Sequence, residues 1–268
     1  MRALLPILYG VSAALYIAHF INKERVSVRQ SAVVVLVASL LLHILFLGSR
    51  AVTNGHVPLS NIPEALSTCV AMITVVYLYL EWSMHDRSLG AFIIPVVTIL
   101  QVISSLLLPK GRELPEILKS GWLEIHVSVT LMAYTAFAIA CVSSLMYVFL
   151  FDEVRAKHLG FFYNRLPPLV TLDTLNHRAA SLGFLFLTAG MVSGALWSSQ
   201  VWGTFWRWDP KLTATLITWL IYAVHLYARL AAGWAGKRAS YFSIIGFVLA
   251  LVTFIIVGVI QPGKHVFH

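Results

Sequence analysis

Residues 123–151 read LEIHVSVTLMAYTAFAIACVSSLMYVFLF, and this stretch decides the fold class. Glu124 is its one formally charged residue, and the stretch exceeds the run of about 20 apolar residues that crosses a bilayer as a helix. Transmembrane β-strands are shorter and alternate apolar with polar residues, which this stretch does not do. It therefore predicts a membrane-spanning α-helix.

About seven other apolar runs of helical length flank this stretch. The chain is 59% hydrophobic and 11% charged, with a mean hydropathy of +0.83, which is too apolar for a soluble domain of this size. We predict an all-α, polytopic integral membrane protein with about eight transmembrane helices, forming a single membrane domain over residues 1–268. The other runs cover residues 3–21, 32–48, 63–82, 90–108, 178–198, 212–232 and 242–260.

Charge and cysteine usage exclude several classes of function. The formal net charge is +8, but no cluster of Lys and Arg exceeds two residues, which argues against nucleic-acid binding. The basic residues lie in the loops beside the apolar runs. If the N-terminus is outside, the inner loops carry somewhat more Lys and Arg than the outer loops, so the distribution predicts an outer N-terminus. Cys69 and Cys141 fall within runs and form no Cys-x-x-Cys pair, so neither a zinc site nor a thiol–disulfide carrier is predicted. The sequence shows no nucleophile accompanied by an acid–base pair. A self-contained catalytic site is therefore not predicted.

Residues 199–211, here called the tryptophan loop, separate the runs 178–198 and 212–232. Residues 202–210 read WGTFWRWDP, and five of the eight tryptophans of the chain lie between positions 197 and 219. Aromatic side chains at a membrane surface either anchor a helix or form a platform for a flat ligand. Trp202 and Trp206 are four residues apart and would share one face of a helical turn. Gly203 leaves room for close approach, and both interpretations stay open.

Histidines give a second constraint on the site. With an outer N-terminus, His126 at the start of the fifth helix and His265 after the eighth lie on the same side as the tryptophan loop. Two imidazoles beside aromatic faces suit a haem, whose iron commonly takes axial histidine ligands. Arg207 and Lys211 would meet the haem propionates.

His43 and His225 lie within the second and seventh runs. A buried imidazole without a partner is costly, so each side chain needs a hydrogen bond or a metal. Their predicted depths in the membrane do not favour pairing them with each other. Hydrogen bonding between helices and cofactor binding both stay open for these two residues.

Helix-capping residues are predicted at two loops. Asp209 would cap the seventh helix, with Pro210 as its first residue. Asn61 or Ser60 would cap the third helix, with Pro63 in its first turn. Glu64, which follows, is an acid close to the apolar zone and is a candidate for ligand contact.

Residues 172–229 resemble the cytochrome c assembly protein family, the haem-handling superfamily that contains CcsA, ResC, CcmC and HemX-like proteins. The most specific match is to the family's tryptophan-rich "WWD" loop. Further resemblance lies at Leu182-Gly183-Phe184, at Ile217-Thr218-Trp219-Leu220-Ile221-Tyr222-Ala223, at Trp122-Leu123-x-x-His126-Val127 and at Gly55-x-x-Pro58-Leu59-Ser60-Asn61.

The resemblance implies a haem b site at the outer face of a bacterial cytoplasmic membrane, with the N-terminus, the tryptophan loop and the C-terminus all on that side. His126 and His265 would ligate the iron. It further implies presentation of haem to apocytochrome c together with a ResB/CcsB-type membrane partner. The implied cofactor-binding residues of the loop are Trp202, Gly203, Trp206, Trp208, Asp209 and Pro210.

Departures from the family pattern keep alternatives open. CcsA-type proteins carry a histidine about two residues after His225, where this chain has Tyr227, so an internal haem site and hydrogen bonding between helices stay open as alternatives for His225 and His43. The histidine in the second run, the sequence Tyr79-Leu80-Glu81 and the short length resemble the HemX-like branch, which is linked to control of haem biosynthesis. A haem transporter and a bundle with an aromatic anchor are further alternatives.

Overall fold

The computed structural model describes residues 3–22, 26–59, 61–84, 87–107, 121–157, 160–206, 208 and 210–252. Within these residues the chain forms α-helices and no strand, which confirms the predicted all-α fold. The helices are α1 (Leu4–Ile21), α2 (Val26–Asn54), α3 (Ile62–Met84), α4 (Gly90–Leu106), α5 (Gly121–Arg155), α6 (Leu169–Trp202), α7 (Pro210–Ala232) and α8 (Lys237–Val252).

Six of these helices, α1, α2, α3, α5, α6 and α7, are long and apolar enough to cross a membrane. Helix α4 is apolar but has 17 residues. Helix α8 is described over 16 residues, and the apolar run that it begins continues past the described part of the chain. The protein is a multi-pass membrane protein.

Helices α5 and α6 are longer than their apolar runs, with 35 and 34 residues. At 1.5 Å per residue each is about 50 Å long, which exceeds the roughly 30 Å hydrocarbon core of a bilayer. Helix α6 begins well before the predicted run at 178, because Leu172, Leu175 and Ala179 bury one face of an otherwise polar segment. At its other end, residues 199–202 continue the helix where a loop was predicted.

The contacts divide the chain into two compact units, so a single membrane domain stays a prediction. The first unit covers Met1–Lys119 and Gly160–Pro167. Helix α1 packs against α2 and α4, and α3 packs against α4. The Glu81 carboxylate is buried and accepts hydrogen bonds from the hydroxyls of Tyr16 and Tyr77, both at 2.6 Å, and from Nε of Arg87 at 2.7 Å. Three donors compensate the loss of water around this charge.

The second unit covers Ser120–Leu159 and Pro168–His268. Its centre is the antiparallel pair of α5 and α6, against which α8 and α7 pack. A Cβ atom at Gly183 would lie 2.5 Å from two carbons of the Phe137 ring. That ring is stacked on Tyr222 of α7, with centroids 3.6 Å apart and planes 9° apart. The absence of a side chain at Gly183 therefore lets three helices meet.

We expect Gly183→Ala to destabilise the protein, because the Phe137 ring is held by Tyr222 and has little freedom to yield. Overpacking of this kind costs about 1–3 kcal/mol. The matched control is Gly48→Ala in α2, where nothing lies within 4 Å of the added methyl group. Thermal unfolding of the detergent-purified proteins measures the difference. Equal unfolding temperatures for both variants would contradict the close packing at Gly183.

Candidate functional site

His126 lies in the second turn of α5 and is half-buried. Its Nδ1 atom lies 2.7 Å from the backbone oxygen of Gly190 in α6. A carbonyl oxygen only accepts hydrogen bonds, so Nδ1 carries the proton and the lone pair is on Nε2. A histidine that binds metal through one nitrogen commonly donates the other N–H to such an acceptor. The fold thus holds His126 in the tautomer that has its lone pair on Nε2.

Two glycines of α6 let α5 approach closely beside His126. A Cβ atom at Gly194 would lie 2.7 Å from Cε1 and 2.8 Å from Nδ1 of His126. At Gly190 it would lie 2.6 Å from Oγ1 of Thr130. Residues four apart share one helix face, and small residues there let two membrane helices approach closely. Any larger side chain at 194 would displace the imidazole.

The tryptophan loop starts where α6 ends at Trp202. Gly203 adopts a left-handed conformation with φ of 70°, and its N–H donates to the Ser199 oxygen at 3.0 Å. The Ser198 hydroxyl donates to the Thr204 oxygen at 2.7 Å and fixes the turn. The expectation that Trp202 and Trp206 share a helical face is wrong, because the positive φ of Gly203 ends the helix between them.

The tryptophans form two edge-to-face pairs. Trp197 contacts Trp202 with centroids 5.1 Å apart, and Trp206 contacts Trp208 at 5.6 Å. Trp208 is 80% exposed and Phe205 is 63% exposed, so the loop presents bare aromatic surface. The indole N–H groups of Trp197 and Trp206 are buried and have no acceptor among the described residues. The loop and the end of α6 therefore combine exposed apolar faces with buried indole N–H groups that have no acceptor among the described residues.

Several predicted site residues lie outside the described residues. Asp209, Arg207 and His265 are among them, so the capping role of Asp209 and the ligand role of His265 stay predictions. Helix α7 begins at Pro210, as predicted. The side chains of Pro210 and Lys211 are not described.

His43 is fully buried, and both of its ring nitrogens have protein partners. Nδ1 lies 3.1 Å from the Tyr9 hydroxyl of α1, and Nε2 lies 2.8 Å from the Ser67 hydroxyl of α3. Hydrogen bonding between helices thus accounts for this buried imidazole. Iron ligation by His43 would require one of these two bonds to break.

His225 is 2% exposed and lies edge-on to Tyr222 in the second unit. Its Nε2 atom has no hydrogen-bond partner among the described residues. Tyr227 is 72% exposed, because two residues turn a helix by about 200°.

One turn beyond His225, Arg229 donates two hydrogen bonds to Asp173, at 3.0 and 2.6 Å. The Gly236 N–H donates a third to the same carboxylate at 2.9 Å.

The start of α3 is capped as predicted by Asn61, whose side-chain oxygen accepts the Glu64 N–H at 3.0 Å. The Glu64 carboxylate is paired with Arg50 at 2.7 Å.

Gly190 and Gly194 are not predicted from the sequence as part of the site, although their four-residue spacing can be seen there. No spacing in the sequence predicts the partners of His43, because Tyr9 and Ser67 lie on other helices.

The sequence profile of the family described as "Cytochrome C assembly protein" matches residues 59–265. The chain belongs to this family. The match spans His126, the tryptophan loop and His265, whereas His43 precedes it. The cytochrome c biogenesis protein CcsA of Guillardia theta is 34% identical over 240 residues, covering 82% of this chain and 80% of that protein.

Two further relatives of this cytochrome c assembly family member carry the same name. CcsA of Heterosigma akashiwo is 31% identical over 255 residues, covering 82% of this chain and 79% of the relative. CcsA of Chlamydomonas reinhardtii is 33% identical over 235 residues, covering 84% and 65%. The similarity to the Guillardia and Heterosigma proteins extends over most of both chains.

We expect Arg229→Gln to destabilise the protein, because it leaves the half-buried Asp173 carboxylate without its charged partner. Hydrogen bonds to charged groups contribute about 1.5–3 kcal/mol. Lys237→Gln is the matched control, since its ion pair with Asp152 at 2.6 Å is exposed and is screened by water. Thermal unfolding should separate the two variants. Equal losses of stability would contradict a structural role for the Asp173–Arg229 pair.

Proposed function

We propose that this protein binds haem b at the tryptophan loop and presents it for covalent attachment to apocytochrome c during cytochrome c biogenesis. Membership of the cytochrome c assembly family and the CcsA relatives support a role in that process. The haem itself and its place on the protein are the new elements of the proposal.

The hydrogen bond from Nδ1 of His126 to the Gly190 oxygen carries the proposal. It orients the ring, and it places the lone pair on the nitrogen that faces away from this bond. Haem iron in proteins commonly takes an imidazole nitrogen as its axial ligand. His126 and, from the resemblance, His265 are the proposed axial ligands.

The residues at the end of α6 and in the tryptophan loop fit a haem. Exposed rings at Trp208 and Phe205 provide apolar surface for a macrocycle. The buried N–H groups of Trp197 and Trp206 offer donors to an acidic ligand. Gly203 turns the chain at the end of α6, so that these rings follow the helix on which His126 rests.

Haem held here would supply the vinyl groups to which the thiols of an apocytochrome add. The residues of this chain would bind and orient, and none is assigned a catalytic role. We place the site at the outer face of a bacterial cytoplasmic membrane, with the N-terminus and C-terminus on the same side. A ResB/CcsB-type membrane protein is the proposed partner.

Absorption spectra of the detergent-purified protein test the ligand assignment. We expect the wild type to carry haem, and we expect His126→Ala and His265→Ala each to lose haem or to shift its bands, because each removes one axial ligand. His56→Ala is the control, since His56 lies in the loop between α2 and α3 and contacts its own neighbour Val57. A colourless wild type from haem-replete cells would overturn the proposal.

Replacing one exposed tryptophan by alanine tests the platform. Trp208→Ala should weaken haem binding about two- to tenfold, the effect expected for one aromatic contact worth about 0.5–1.5 kcal/mol. Trp82→Ala is a matched control, because Trp82 is 74% exposed at the far end of α3 and lies outside the proposed site. Haem titration should distinguish the variants, and equal affinities would show that the loop does not contact the ring.

A gene deletion tests the biological role. We expect the deletion strain to lose covalent haem from its c-type cytochromes. The wild-type gene should restore haem attachment, and the His126→Ala gene should not. Normal cytochromes with altered haem precursors would instead make the protein a HemX-like regulator of haem biosynthesis. That outcome would leave haem binding intact and remove only the role in cytochrome assembly.

A further inference from the structure

A small, partly open cavity with a mixed polar and apolar lining lies in the first unit, among residues of α2, α3 and α4 and the chain that precedes α3. Its volume is about 20 Å³, and its polar lining includes Arg50, Glu64, Ser67 and Gln101. Arg50 and Glu64 form the ion pair described above, in which the Arg50 side chain is 30% exposed. Ser67 and Gln101 are 4% and 2% exposed. The cavity therefore joins a charged pair near the surface to buried polar groups.

Gln101 indicates what the cavity holds. Its side-chain oxygen is buried and finds no hydrogen-bond donor among the residues that the structure describes. Leaving a buried acceptor unsatisfied costs about 1–3 kcal/mol. A cavity of about 10–15 Å³ admits one water molecule, provided that two to four polar groups surround it. The Arg50 guanidinium in the same lining disfavours a metal cation. Water is the ligand that fits the volume, the donor requirement and the charge.

Ser67 connects this cavity to His43. Its hydroxyl group lies 2.8 Å from Nε2 of His43, and Nδ1 of His43 lies 3.1 Å from the Tyr9 hydroxyl. Imidazole, hydroxyl groups and water can each donate and accept a hydrogen bond. A water in contact with Ser67 would therefore extend this chain of hydrogen bonds to the Arg50–Glu64 pair.

We propose that the cavity binds one ordered water that links the Arg50–Glu64 ion pair through Ser67 to His43. The fully buried imidazole then exchanges protons with the aqueous surface along the chain of hydrogen bonds. The exchange balances because the N–H proton of the imidazole leaves along the chain as a solvent proton enters by it, so the charge of the site is unchanged and no other reactant is needed. This role for His43 does not depend on haem binding at the tryptophan loop.

Radiolytic labelling of the full-length protein in ¹⁸O-water tests whether the cavity holds water. A hydroxyl radical formed from a trapped water modifies the side chains next to it, even when these are buried. We expect Pro63, which is buried and lines the cavity, to be labelled. Leu36 of α2 is the internal control, because it is fully buried and does not line the cavity. Equal labelling of Pro63 and Leu36 in the wild type would overturn the water site.

Gln101→Leu tests the same site with a side chain of similar size that offers no acceptor. Labelling of Pro63 should fall to the level of Leu36 in this variant. Thr98→Val is the matched control on α4, because Thr98 bonds to its own helix at Ile94 and lies outside the cavity. Unchanged labelling in Gln101→Leu would contradict the assignment of Gln101 as the water's acceptor.

Hydrogen–deuterium exchange of the ring N–H of His43, followed by NMR of the ¹⁵N-histidine-labelled protein, tests the connection. We expect the wild type and Thr98→Val to exchange at the same rate, and Gln101→Leu and Ser67→Ala to exchange several-fold more slowly. Equal rates in all four proteins would show that His43 does not communicate with the surface through this water. Should a variant fail to fold, the comparison of Pro63 with Leu36 in the wild type still decides whether water is bound.

Discussion

The close approach of α5 and α6 is the constraint on which the second unit depends. Three positions on α6, Gly183, Gly190 and Gly194, lack side chains where α5 presents Phe137, Thr130 and His126. In a membrane no hydrophobic effect drives helices together, so packing and hydrogen bonds must do so. The bond from His126 to the Gly190 oxygen forms within this contact, which means that helix packing and the orientation of the imidazole have one cause.

The end of α6 adds the aromatic part of the site. Gly203 stops the helix in a left-handed turn, and the following rings of Phe205 and Trp208 stay exposed instead of packing along the helix. Trp197 and Trp202, both within two turns before the stop, contact each other edge to face. An oriented imidazole and bare aromatic surface thus belong to the same helix pair. That combination is the basis of the proposed haem site.

The sequence was sufficient for the helices and for the position of the tryptophan loop, because both depend on local composition. Apolar runs predicted the spans, and tryptophan density predicted the loop. It could not show that α6 begins at Leu169, since its first turns are apolar on one face only. It wrongly placed Trp206 on one helical face with Trp202, because the positive φ of Gly203, which ends the helix between them, depends on the turn that forms. It left His43 open because its partners, Tyr9 and Ser67, are brought to it by other helices.

We propose that Nε2 of His126 binds haem iron while Nδ1 donates to the Gly190 oxygen. Anomalous diffraction at the iron edge, from crystals of the haem-loaded protein, tests this most directly. We predict an iron peak within coordination distance of Nε2 of His126, with the bond from Nδ1 to the Gly190 oxygen preserved. An iron peak bound to His43 or His225, with His126 unliganded, would contradict the account.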